Sequence, residues 1–384
     1  MRTLIITVTA GRGHNSTAKA LKESISNKGA EAVVLDLYKY ISKVIYNMVD
    51  KGYLFSIKHT PKGFGRAYSG LERRKIPRKI LGILNSNRII AGRLAGFFAE
   101  YDPDVIIVTH VFAAQVLDVL KRQGHLQVPI IGVMTDYCIH PFWETVPSVE
   151  TIVTASELNR YAAERRGIEA TRLLPLGIPV ASKFSEKSEQ KEARQTLGLD
   201  PDKTTILVMG GSMGYGDLLQ SVLQIDQMNK GYQIACIAGA NARLYDQLRS
   251  LNTRYPLHIC GFTDQVHLYM DAADCIVTKP GGLSTSEALS KELPLILVSP
   301  IPGQEERNAH FFVNTGAAVL VSKHFPIAEA VYTVLESEGR FQHMKEAIRK
   351  IARPRAAEDI ADLSLRLGEA HTAGDKYAQT TTRL

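Results

Sequence analysis

The sequence is short of several things, and each shortage excludes a class of protein. No apolar run approaches the ~18 residues needed to span a bilayer, and the first one, Leu4 to Val8, is only a strand's length. The expectation is therefore a cytoplasmic protein, neither secreted nor transmembrane. Cysteine is scarce: Cys138, Cys236, Cys260 and Cys275 lie far apart, with no CxxC pair and no histidine cluster at zinc spacing. That pattern suits reduced thiols and calls for no metal. Tryptophan occurs once, as Trp143, and there is no short-period repeat or low-complexity tract. A glycine-rich loop lacks the Gly-Lys-Ser/Thr ending of a phosphoryl-transfer P-loop, which argues against an ATPase.

Acid is nearly missing from one segment. Between Lys51 and Arg93 eleven Lys and Arg residues face Glu72 alone, a local charge of +10 in a chain whose net charge is +7. Tyr53, Phe55, Phe64, Tyr68, Ile76, Ile80 and Leu84 are interleaved with the cations. Arg73, Arg74, Lys75, Arg78 and Lys79 form its densest part. Basic amphipathic segments of this kind bind anionic membrane surfaces. A single-stranded nucleic acid or a plain solvated helix face fits the composition equally well.

What is present is the alternation of an α/β protein. Apolar runs at 4–8, 32–35, 105–108, 130–133 and 151–154 alternate with helical patterns such as 16–26 and 113–121. Runs buried on both faces imply a parallel sheet covered by helices. After a polar stretch, 181–203, the pattern resumes with strands at 205–209, 234–237, 257–259, 275–277 and 295–298. Two Rossmann-like domains are expected, at 1–180 and 200–340, followed by a helical segment and tail at 341–384.

Three loops carry chemistry. GGSMGYG, Gly210 to Gly216, lies between a strand and a helix, the arrangement that presents backbone N–H groups to a diphosphate. About 70 residues later KPGGLSTSEA repeats the arrangement, with Glu287 one turn into the helix. A carboxylate there can accept two hydrogen bonds from a ribose diol; alternatively, Ser284 and Glu287 form a capping box that serves only the backbone. Near the N-terminus, TAGRGHNSTAKAL follows the first strand, and His14 sits at a helix start whose positive potential would keep it neutral, as a general base requires. The same loop is a truncated dinucleotide fingerprint with Asp36 as ribose acceptor, but Ser16 occupies its third glycine position.

Taken together, GRGHNSTA, VMTDYCIHPFW at Val133 to Trp143, LGIPV, GGSMGYG, GFTDQVHLYMDAADCIVTKPGGLSTSEAL and PGQEERNA resemble the monogalactosyl- and diglucosyl-diacylglycerol synthases. These are inverting glycosyltransferases related to the peptidoglycan GlcNAc transferase. The resemblance implies a B-type glycosyltransferase fold, two Rossmann-like domains facing across a cleft. It implies a UDP-sugar donor, a diacylglycerol acceptor and no cofactor. It assigns Gly211, Ser212 and Met213 to the diphosphate, with Gly282 beside them, Glu287 to the ribose, Phe262 to the uracil, and Gln304 and Glu305 to the hexose. His14 becomes the base, with Asp136 orienting or replacing it, and Gly13, His140 and Trp143 shape the acceptor side. The basic segment then docks the enzyme on the cytoplasmic face of the membrane, with no part for nucleic acid. Arg12, and Lys279-Pro280-Gly281-Gly282-Leu283 in place of Gly-Pro-Gly-Thr, depart from the common pattern. A UDP-GlcNAc transferase acting on a polyprenyl-linked precursor and a sugar nucleotide epimerase are the alternatives.

Overall fold

The computed structural model describes residues 1–9, 13–41, 63, 65–66, 69–70, 92, 94, 96–211, 214 and 216–381, and of 374–381 the backbone alone. The basic-segment residues Arg73, Arg74, Lys75, Arg78 and Lys79, together with Arg12, Ser212 and Met213, lie outside the described residues. The chain divides into two units, Met1–Ser182 with Arg355–Leu384, and Lys183–Pro354.

The first unit is built on β1 (Arg2–Thr7), β2 (Glu31–Asp36), β3 (Val105–Val108), β4 (Ile130–Val133), β5 (Thr151–Val153) and β6 (Leu173–Leu174), in the order β2-β1-β3-β4-β5-β6. All its pairings are parallel. Successive side chains of a strand point to opposite faces, and here both faces are apolar: Leu4 and Ile6 join Ile106 and Val108 in one core. Ile5 joins Val105, Ile107 and Ile131 in the other. Two covered faces explain why these strands read as continuous apolar runs rather than alternating ones.

Sequence periodicity suggests one helical segment from 341 onward. The structure instead has two helices, Glu338–Ile351 and Ala356–Thr381, separated at Arg353-Pro354. Proline lacks the N–H that a continuing helix needs and pushes the residue before it out of helical conformation. The break lets the helices belong to different units. Ile360, Ala361 and Leu363 of the last one pack with Ile5, Leu21 and Ile25, and Lys28 pairs with Asp362 at 2.7 Å. The N-terminal core is thus closed by the C-terminal end of the chain.

The second unit repeats the plan with β7 (Thr205–Met209), β8 (Gln233–Ile237), β9 (Leu257–Cys260), β10 (Cys275–Thr278), β11 (Leu295–Leu297) and β12 (Ala318–Leu320), ordered β12-β11-β10-β7-β8-β9. Its strands β7, β8, β10 and β11 are fully buried, around Ile206, Val208, Ile234, Val277 and Ile296. Among the described residues no helix is long and apolar enough to cross a membrane.

Candidate active site

Each sheet reverses its order once. The chain runs from β1 outward to β2, then returns to place β3 on the other side of β1. It likewise runs from β7 through β8 and β9, then returns to place β10 beside β7. Loops leaving the C-terminal ends of the strands at such a reversal diverge and leave a crevice, the usual ligand site of open α/β sheets. His14, Thr109 and His110 lie at the first reversal and the two glycine-rich loops at the second, with further polar residues after β4, β9 and β11.

In the first unit, His14 follows β1 and opens the helix Gly13–Asn27, while Thr109 and His110 follow β3. His14 Nδ1 stands 2.7 Å from the Thr109 carbonyl oxygen, with Thr135 Oγ1 3.1 Å away on the same side. A carbonyl can only accept, so Nδ1 carries the proton and Nε2 is left as the lone-pair acceptor. Burial lowers the His14 pKa to about 4, against a smaller upward pull from the Thr109 carbonyl. The imidazole is therefore neutral, but desolvation rather than the helix end is the cause. Asp136 stands next to Thr135 just beyond β4 and is partly exposed.

Two further histidines surround His14. His110 caps the helix Val111–Arg122, its Nδ1 accepting from Phe112 N at 3.1 Å; His140 caps Pro141–Thr145, its Nδ1 accepting from Phe142 N at 3.2 Å. Both therefore carry their proton on Nε2, the tautomer opposite to that of His14. The His14 and His110 rings meet edge to face at 4.5 Å, and Phe112 and Phe142 continue the aromatic contacts to His140. Burial lowers His140 to about 4, helped by the positive charge of Arg166 and then by His14, and it lowers His110 well below the usual imidazole range, helped by His14 and His140. Trp143 is 3% exposed, its ring over Gly132 of β4, where a Cβ would stand 2.5 Å from the indole. It acts within the core of this end of the domain. Asp36, the alternative ribose acceptor, accepts instead from Thr9 and from Lys39 N.

In the second unit, Gly211, Gly214 and Gly216 all have positive φ, between 60° and 117°. A side chain on Gly214 would run into the Ala238 carbonyl, while Asn241 Nδ2 donates to the Gly214 carbonyl at 3.0 Å. The loop is thereby fastened to the end of β8. A Cβ on Gly211 would lie 4.0 Å from Ser284 Oγ, so the two glycine-rich loops do come together, after adjacent strands β7 and β10. The helix Gly282–Ser290 starts from Gly281, and no side chain caps it. Ser284 and Glu287 thus form no capping box. Thr285 and Ser286 turn back onto the Gly281 and Gly282 carbonyls.

Glu287 retains some exposure, yet burial pushes its carboxyl up to about 8, with Lys183 pulling weakly the other way. Gln304 and Glu305 begin the helix Gln304–Asn314 after β11. Glu305 is engaged: its carboxylate pairs with Lys279 Nζ at 3.1 Å and accepts from Ile301 N at 2.8 Å. Buried Asn308 donates to the Pro280 carbonyl at 3.0 Å and ties this helix to the KPGG loop. Phe262, in the loop after β9, is 67% exposed. Sequence reasoning missed Thr109, His110, Thr135, Lys279 and Asn308. Position immediately beyond a strand was a usable signal for the first four; Asn308, inside a helix, offered none. Among the described residues no group of three or more His, Cys, Asp or Glu could hold a metal.

Two parallel six-stranded units with their site loops at the switch points define the B-type glycosyltransferase fold. In fold the chain is similar to the crystal structure of Acinetobacter baumannii MurG, with TM-score 0.63 and 15% identity over 95% of this chain and 99% of that one. It is also similar to UDP-GlcNAc 2-epimerase from Neisseria meningitidis, with TM-score 0.56 and 13% identity over 95% and 100%. Residues 14–180 match the family model of monogalactosyldiacylglycerol (MGDG) synthase, and residues 205–360 match that of the glycosyltransferase family 28 C-terminal domain. The chain thus carries an MGDG synthase domain followed by a glycosyltransferase family 28 C-terminal domain. A relative from Bacillus subtilis (strain 168), named processive diacylglycerol beta-glucosyltransferase, is 29% identical over 383 residues, 98% of this chain and 97% of the relative.

Proposed function

We propose that this protein is an inverting glycosyltransferase that moves a hexose from a UDP-sugar, glucose in preference to galactose, to diacylglycerol at a membrane surface. The observation that carries the reading is the ordered match of the two family models onto the two units, each with its reactive residues at a sheet reversal. The preference for glucose rests on the name of the relative. The epimerase alternative shares the fold alone, and the N-terminal family match favours a lipid glycosyltransferase over it.

In this reading the acceptor hydroxyl attacks the anomeric carbon in one displacement, with inversion. Nε2 of His14 takes the proton. A base held near 4 abstracts little from a free alcohol, so the proton moves only as the new C–O bond makes that oxygen acidic. Asp136 orients this base or replaces it. His140 and Trp143 shape the acceptor end. The glycine loops and the start of Gly282–Ser290 stabilise the departing diphosphate. Glu287 takes the ribose, Phe262 the uracil, and Gln304 and Glu305 the hexose.

The test is incubation with labelled UDP-glucose or UDP-galactose and diacylglycerol in anionic vesicles, followed by thin-layer analysis of the lipid. A glucosylated diacylglycerol is the expected product. Epimerised nucleotide, or GlcNAc on a polyprenyl carrier with diacylglycerol untouched, would displace the proposal. Replacing Arg73, Arg74, Lys75, Arg78 and Lys79 with Ser is expected to release the enzyme from these vesicles while UDP binding persists, and unchanged vesicle binding would refute the membrane role of that segment.

A further inference from the structure

Lys279 has no role in the donor assignments above, yet it begins the loop between β10 and the helix Gly282–Ser290, one residue beyond the Thr278–Met209 pairing of β10 with β7. Its side chain is 12% exposed. The stem runs past the glycine loop, its Cδ 3.7 Å from where a Cβ on Gly216 would stand. The ammonium group reaches both Glu305 oxygens, at 3.3 and 3.1 Å. Glu305 is held from behind by the Ile301 N–H at 2.8 Å. Among the described residues Glu305 is the one hydrogen-bond partner of Lys279, so an ammonium with three donors is partnered on one side only.

A largely buried ion pair adds little net stability, because desolvating two charges offsets their attraction. A full positive charge beside a loop whose glycines bare the backbone is better explained by an anion arriving there. We propose that Lys279 is the cation that takes up the charge on the departing diphosphate, and that Glu305 holds it ready while the donor is absent. This rests on the UDP-sugar reading of the second unit. In the transfer step the bond from the anomeric carbon to the β-phosphate oxygen breaks and its electron pair stays on that oxygen. The acceptor oxygen bonds to the anomeric carbon, and its proton goes to the base in the first unit. The diphosphate gains one negative charge. Backbone N–H groups meet it with partial charges and Lys279 with a whole one, its own protonation unchanged. Glu305, sharing its cation with the diphosphate, gains acceptor capacity for a hexose hydroxyl, which couples donor binding to hexose orientation.

The experiment compares uridine and UDP binding by calorimetry, and turnover of UDP-glucose, in the parent, Lys279→Met, Lys279→Arg and Glu305→Gln. Lys279→Met is expected to weaken UDP about 10- to 100-fold with uridine unchanged, and to lower kcat by about 10²–10³. Lys279→Arg should recover most of the UDP affinity. Glu305→Gln frees the lysine, so UDP should bind as tightly as to the parent while kcat falls. Lys279→Gln serves the same comparison should the Met variant fail to fold. Equal loss of uridine and UDP affinity in the Lys279 variants, or equal loss of UDP affinity in the Lys279 and Glu305 variants, would mean a merely structural pair and overturn the proposal. So would parent-like UDP binding without the lysine. A parent protein that binds no UDP would instead bring down the donor reading itself.

Discussion

The two units share an architecture and differ in what lines its reversal. In the first, β1, β3 and β4 end in imidazoles and hydroxyls: His14, Thr109, His110 and Thr135 lie together, and His14, His110 and His140 each have their tautomer set by a backbone partner. In the second, β7 and β10 end in glycines, and the charged groups nearby, Glu287, Lys279 and Glu305, stand around bare backbone. In the proposed function the same sheet order serves proton handling in one unit and anion handling in the other. Topology supplies the crevice and the loop residues supply its chemistry.

The largest effect that would sharpen this contrast is on turnover. His14→Ala is expected to lower kcat by roughly 10²–10⁴ while UDP affinity stays near that of the parent, since the proposed donor site lies in the other unit. Near-parental turnover in His14→Ala, with loss in Asp136→Asn, would transfer the base to Asp136. The converse change belongs to the second unit. Glu287→Ala should raise the donor KM and cut kcat/KM by about tenfold or more, through loss of charge-assisted hydrogen bonds of ~1.5–3 kcal/mol. Intact UDP binding in that variant would remove Glu287 from the ribose.

Glu287 also ties donor affinity to pH. Burial pushes its carboxyl up to about 8, and diol donors favour the ionised form, so binding of a ribose diol releases a proton. UDP affinity should rise as pH increases from 6 toward 8 and then level off, a slope that Glu287→Gln should flatten. A pH-independent affinity in the parent would break the assignment.

Two backbone positions set the units apart in stability. Gly214→Ala combines a φ of 60° with a collision at the Ala238 carbonyl and should destabilise the second unit by about 2–4 kcal/mol. Gly132→Ala meets the Trp143 ring at 2.5 Å and should act on the first. Melting followed separately in the two units would show whether each loss stays local.

The smallest expected effect is on stability against pH, and its sign differs between the units. His14 and His140, lowered to about 4 from 6.5, and His110, also lowered well below 6.5, bind fewer protons folded than unfolded. Their stabilisation is complete above pH 6.5 and is lost as pH falls through about 4. Glu287, raised from 4.5 to about 8, contributes in the opposite direction: stability is greatest below 4.5 and is lost as pH rises through 8. Acid melting should therefore begin in the first unit. An acid limb unchanged by replacing His110 and His140 with Asn would show that these rings do not govern it.

Most of the fold was legible because strands buried on both faces leave uninterrupted apolar runs, and the runs around Leu4, Val105, Ile130, Thr205 and Cys275 all became strands near their expected bounds. β6 and β12 were not legible, since two and three residues make no pattern. The loops GGSMGYG and KPGG stood out as candidate ligand loops because glycine beside a strand end restricts what the backbone can be for. The sequence by itself therefore determined two α/β units and the kind of chemistry each strand end could carry. Tertiary structure alone decided three other things: that Ala356–Thr381 returns to close the first unit's core, that burial rather than a helix end keeps His14 neutral, and that Lys279 reaches Glu305. Each depends on residues far apart in the chain meeting at one place, and on the loss of water where they meet, which neither spacing nor composition records.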